Sequence, residues 1–145
     1  MAPLVVLAVV TALARLIGLL AGPEWLDSWP HAIALGLAAM FVLTASAHFL
    51  PPRRAALIAM VPPKLPNPAA LVAVTGVLEL AGGAGLLIPA TSKLAAGALI
   101  LMLICLFPAN IRAAKADLGI KTMPLSLRFV VQVVFIAALS VVLFG

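Results

Sequence analysis

The side chains able to do chemistry in this chain are few, and most of them interrupt long apolar runs. Glu79 stands inside the run 68–88 and Arg15 inside the run 3–21. His48 lies one helical turn from Thr44, and Arg128 lies one turn from Gln132. Asn110 follows Pro108 near the end of the run 91–111, where the proline leaves the carbonyl of Ile104 without its helical donor. Carboxylates, imidazoles and amides transfer protons or hold polar ligand oxygens. Other chemistries are excluded by type or spacing. His31 and His48 stand at opposite ends of one run, so a single protomer cannot supply two axial haem ligands from them. No His, Cys or carboxylate spacing reads as a metal site, and no glycine-rich loop follows a strand to cradle phosphate. No serine has an evident histidine and acid partner. Cys105 is the single cysteine, which allows neither an internal disulfide nor a CxxC pair. No residue is assigned as catalytic.

The elements that must position these groups follow from composition. Of 145 residues, 66% are hydrophobic and 9% charged, with a mean hydropathy of +1.31. A water-soluble domain is roughly half apolar and about a quarter charged, and a chain this short has no interior able to hide the excess. A hydrocarbon core about 30 Å thick needs roughly 20 apolar helical residues to cross it. Five stretches qualify, at about 3–21, 31–50, 68–88, 91–111 and 125–144. The runs are continuous rather than alternating, which selects helices over a β-barrel. The fold expected is all-α, a transmembrane helix bundle forming one domain. Ser28 before Pro30, Asn67 before Pro68, Thr91 or Ser92, and Pro124 with Ser126 read as helix starts. The first run lacks a basic leader and contains Arg15, so it reads as a span rather than a signal peptide.

The formal charge of +5 does not indicate nucleic acid, because the cations sit in turns between apolar runs. Glu24 and Asp27 occupy the first loop without any Lys or Arg. Arg53, Arg54 and Lys64 follow the second span, Lys93 alone follows the third, and Arg112, Lys115 and Lys121 follow the fourth. Basic loops alternate with poor ones, which puts the N-terminus inside and the C-terminus outside. Trp25 and Trp29 suit the outer interface. The segment 51–66 is too short to cross. An interfacial helix is expected around Arg53 to Val61, with Arg53 and Arg54 toward headgroups and Leu57, Ile58 and Val61 dipping inward.

Ionisable groups at depth are costly, so they face a bundle interior and pair, or they line a site. Counting about 1.5 Å per residue, Arg15 lies roughly 18 Å and Glu79 roughly 16 Å from the cytoplasmic ends of their spans. Equal depth predicts that they form an ion pair or share a polar cavity. Gly76, Gly82 and Gly83 lie at i−3, i+3 and i+4 from Glu79. The space they leave is filled either by another helix or by a ligand. His48, Glu79, Asn110, Arg128 and Gln132 all fall in the inner half, and a polar pocket opening toward the cytoplasm would gather them.

The ordered set of motifs resembles the DoxX-like family of small bacterial membrane proteins. It comprises Ala47-His48-Phe49 with Pro51-Pro52, Val61-Pro62-Pro63-Lys64-Leu65-Pro66, and Thr75-Gly76-Val77-Leu78-Glu79-Leu80 with Gly82-Gly83. Gly85-Leu86-Leu87-Ile88-Pro89, Phe107-Pro108-Ala109-Asn110, and Arg128 with Gln132 complete it, so that the match covers about Leu35 to Leu143. The resemblance implies a four-helix DoxX-like core with the first span added, residence in the bacterial cytoplasmic (inner) membrane, and His48, Glu79, Pro108, Asn110, Arg128 and Gln132 as characteristic residues. It implies association with quinone-linked redox assemblies, or a chaperone-like or cargo-binding role. The expected function is a quinone- or redox-associated membrane subunit. The alternative is a non-enzymatic binding or assembly factor for a lipid, a hydrophobic amine or a membrane-protein partner. The expected partners are membrane lipids and a redox or membrane-protein partner, and glycine and alanine faces would allow a homodimer. Quinone is the one cofactor considered, with neither metal nor haem expected.

Overall fold

The computed structural model describes residues 2–115 and 124–145. Among these residues six α-helices run in chain order as α1 Ala2–Ala21, α2 Trp29–Phe49, α3 Arg53–Met60, α4 Pro68–Leu86, α5 Ser92–Lys115 and α6 Leu125–Phe144, with a 3-10 turn at Glu24–Leu26. No strand occurs among the described residues. Five of the helices are long and apolar enough to cross a membrane, and the short α3 is not among them. The protein is a multi-pass membrane helix bundle.

The helix starts obey local chemistry only in part. Ser28 caps α2 by accepting the His31 amide at 3.4 Å, and Pro30 occupies the first turn where no donor is needed. Asn67 differs from expectation. It takes a left-handed conformation (φ 49°) and its side chain caps nothing. Thr91 also differs. Its hydroxyl donates backwards to the Gly85 carbonyl at 2.9 Å, closing the end of α4 rather than the start of α5. Pro108 does not end α5, which continues to Lys115, beyond the run 91–111 read from hydropathy. Arg112 and Lys115 therefore lie in the last turn of α5, beside its exposed carbonyls, where cations are favoured. Lys121, counted in the same basic stretch, lies outside the described residues.

α2 is the central element and packs on α1, α4 and α6, while α5 packs on α4 and α6. Its buried face includes Leu37, Met40 and Phe41, which meet Leu86 of α4, Leu99 of α5 and Leu139 of α6 in one core. Close approach needs glycine at two crossings. A Cβ on Gly36 would fall on the Thr11 hydroxyl and 2.9 Å from the Leu7 carbonyl oxygen, so Gly36 lets α1 lie against α2. A Cβ on Gly76 would stand 2.6 Å from the His48 Cβ and 2.8 Å from the Phe49 ring, so Gly76 does the same for α4. The C-terminal Gly145 rests on Pro30, which brings the end of α6 level with the start of α2. A shallow apolar groove of about 320 Å³ runs between α1, α2 and α6, lined in part by Leu7, Thr11, Trp29, Ile33 and Val134.

The crossings also show that α1 is staggered. Leu7 and Thr11 meet Gly36, and the Arg15 guanidinium lies over the ring of Trp29, the first residue of α2. Arg15 is therefore level with the end of its neighbour rather than with its middle.

Candidate functional site

Among the described residues, two side chains with titratable groups are buried, His48 and Glu79, and they face each other between α2 and α4. His48 Nε2 stands 3.4 Å from Glu79 Oε1, long for a hydrogen bond and within ion-pair distance. Thr44, one turn before His48, donates its hydroxyl to Glu79 Oε2 at 2.7 Å. The opposite edge of the imidazole is fixed as well. His48 Nδ1 lies 2.8 Å from the Val72 carbonyl oxygen and 3.1 Å from the Thr75 hydroxyl. A carbonyl can only accept, so Nδ1 carries a hydrogen.

That assignment has a chemical result. With Nδ1 protonated in every state, a proton facing the carboxylate has two homes. It sits on Nε2, giving an imidazolium–carboxylate ion pair, or on Oε1, giving a neutral pair. The geometry offers both positions, and intramembrane ionisable groups of this kind are functional candidates by default. Arg54, the second residue of α3, clasps the site from below. It donates to the carbonyl of His48 and, at 3.3 Å, to that of Ala69, joining the end of α2 to the start of α4. The expectation that Arg54 turns to headgroups is corrected by these bonds, which use a guanidinium to occupy carbonyls near two helix ends.

The remaining candidates form a second group, between α5 and α6. Arg128 donates to Asn110 Oδ1 at 2.8 Å, and Gln132 donates its amide to the Leu103 carbonyl at 2.8 Å. Leu103 is the residue before Ile104, whose carbonyl loses its helical donor at Pro108, so the amide serves the weakened stretch of α5. The single polar pocket expected to gather His48, Glu79, Asn110, Arg128 and Gln132 is thus corrected to two bonded clusters on different helix pairs. Neither of the two surface cavities described reaches His48 or Glu79. The glycines beside Glu79 face helices rather than a void. Gly76 and Gly83 meet α2, and Gly82 meets the Leu99 side chain of α5.

Arg15 does not join Glu79. It pairs with Asp27 at 2.8 Å and covers Trp29, 4.9 Å from the ring centroid. Equal distance along two helices is not equal depth, and the outward stagger of α1 places Arg15 at the Asp27 end of the bundle. Half of the Asp27 side chain is exposed, so solvent screens the pair. Arg15→Ala should lower stability by about 1 kcal/mol in SDS-induced unfolding, because its Asp27 partner is open to solvent and the stacking on Trp29 adds a modest further contribution. A much larger loss would show that Arg15 supports something deeper than its outer-end partners.

Thr75 and Arg54 were not singled out as site residues by sequence reasoning. Thr75 stands four residues before Glu79, on the same helical face, and that spacing is the signal that would have included it. No local signal aims Arg54 at the His48 carbonyl.

A family model described as a domain of unknown function, DUF8561, matches residues 37–142. The chain belongs to this family. The DUF8561 region runs from within α2 through most of α6, so it contains both polar clusters and excludes α1 with Arg15. No curated protein and no solved structure matches the chain.

Proposed function

We propose that this DUF8561 protein is a DoxX-like subunit of the bacterial cytoplasmic membrane that works beside quinone-linked redox chemistry, with its N-terminus inside and the His48–Glu79 pair as its proton-holding centre. The observation that carries this reading is the buried pair itself, 3.4 Å apart, with one exchangeable proton and with Thr44 and the Val72 carbonyl fixing its two sides. Reducing a quinone to a quinol takes up two electrons and two protons. A redox partner in the membrane would supply the electrons, and the pair would pass on the two protons one at a time, taking up a proton from water after each, once the helices over it part to admit the quinone. The charge pattern supports the orientation, because Arg53, Arg54, Lys64, Arg112 and Lys115 lie toward the end where α2 and α5 finish and α4 starts, while Glu24 and Asp27 lie at the other.

A second reading is favoured by one feature. The glycines beside Glu79 are filled by neighbouring helices. This suits a non-enzymatic assembly or binding factor whose buried polar network serves to fix helix positions for a membrane-protein partner. Native mass spectrometry of protein released from its own membrane, with and without Glu79→Gln, separates the two. A quinone-mass adduct that disappears in the variant is the expected result. Partner chains that stay bound in both proteins, with no adduct in either, would overturn the quinone reading and leave the assembly role.

A further inference from the structure

One end of the bundle carries a charge pattern that neither the pair nor the packing uses up. Arg53 and Lys64 are exposed on the segment that joins α2 to α4, and Lys115 is exposed at the end of α5. Arg112 is half-buried, and its Nε is enclosed with no hydrogen-bond partner. α3 packs against both α4 and α5, which brings the cations of the joining segment and of the α5 end to one face. Among the described residues no acidic side chain lies at this end, since Glu24 and Asp27 are at the other end and Glu79 is inside the bundle; the fourth acid, Asp117, lies outside the described residues. Exposed apolar side chains flank the cations, with Phe49, Leu50 and Leu65 open by 40%, 60% and 49%. Cations edged by bare apolar groups match the layered chemistry of a phospholipid, phosphate above and acyl chain below.

We infer that this basic face, formed by α3 with the end of α5, is a selective binding surface for anionic phospholipid headgroups. Arg53, Arg112 and Lys115 meet the phosphates, while Phe49, Leu50 and Leu65 lie among the first methylenes. Arg54 stays out of the lipid contact because its guanidinium already holds the His48 and Ala69 carbonyls. The assignment is independent of the proton chemistry at His48 and Glu79.

The test is native mass spectrometry of the detergent-solubilised full chain after exposure to equimolar phosphatidylglycerol and phosphatidylcholine with identical acyl chains. Retained lipid should be enriched in phosphatidylglycerol by at least about fivefold, the gain expected from a single well-placed cation. The enrichment should collapse in Arg53→Gln/Arg112→Gln/Lys115→Gln, and in the wild type at about 0.5 M salt, where screening shortens to roughly 4 Å. Lys93→Gln, at the opposite end, should leave it unchanged. If the triple variant does not fold, Arg53→Gln alone decides, because that side chain is exposed, and a loss of about fivefold is expected. Equal retention of the two lipids by the wild type would overturn the proposal and leave a soluble acidic protein as the occupant, and so would full enrichment in the triple variant. Glu79→Gln should keep the lipid preference, which separates failure here from failure of the quinone reading.

Discussion

Glu79→Ala will lower the stability of the bundle by about 2–3 kcal/mol in SDS-induced unfolding followed by circular dichroism, and adding His48→Ala will cost much less than the sum of the two single changes. A polar contact between membrane helices is worth on average only about 0.6 kcal/mol, because the unfolded helices find other partners in the bilayer. Glu79 is a larger case. Its removal leaves the His48 Nε2 without its partner, leaves the Thr44 hydroxyl only the Phe41 carbonyl at 3.2 Å, and opens a void between α2 and α4. Glu79→Gln keeps an acceptor for Thr44 and preserves volume, so it should fall between wild type and alanine. The double change removes both halves of the pair, and the coupling should exceed about 1 kcal/mol. Strictly additive losses would mean that the imidazole and the carboxylate do not sense each other.

Gly76→Ala is the second large effect, and it acts on the same centre by steric means. The added methyl would sit 2.6 Å from the His48 Cβ and 2.8–2.9 Å from two ring carbons of Phe49. The Phe49 ring is 40% exposed and can swing aside. The His48 Cβ is fixed to the backbone of α2, so α2 and α4 must separate, and overpacking of this kind costs typically about 1–3 kcal/mol. Separation draws Nε2 away from the carboxylate, so Gly76→Ala should also abolish the coupling measured between His48 and Glu79. Gly97→Ala is the matched control. Nothing lies within 4 Å of its new methyl, and the change should be neutral or stabilise α5 slightly through helix propensity. A Gly76→Ala protein as stable as wild type, with the coupling intact, would show that the α2–α4 contact is not set by that glycine.

The spans were legible because hydropathy and length suffice to mark a membrane helix, and the loss of accuracy was confined to ends. α5 passes through Pro108 to Lys115, and Gln132 of the neighbouring helix donates to the Leu103 carbonyl beside the affected one, a contact no local pattern of α5 reveals. His48, Thr44 and Glu79 were legible as members of a site, since each is a polar group in an apolar run. Their partners were not legible, because pairing depends on the vertical offset between helices. Arg15 and Glu79 matched in distance along their own helices and lie apart in space. That offset is set by packing at Gly36 and by the 3-10 turn at Glu24–Leu26, both of which are tertiary features. The glycines beside Glu79 had two readings from sequence, and the outcome depended on which faces α2 and α5 present to α4.

The position of His48 near the end of its helix has an electrical consequence. His48 is the next-to-last residue of α2, and its ring reaches from there to Glu79, so the shared proton lies near the basic boundary of the bundle even though Glu79 itself is in mid-helix. A full crossing of the membrane potential is worth about 2.3 kcal/mol per charge at 100 mV, and a shallow site taps only a minor fraction of it. On the proposed reading, a proton passing between this pair and the basic side of the bundle crosses only a minor part of the membrane potential, so its exchange should depend only weakly on that potential.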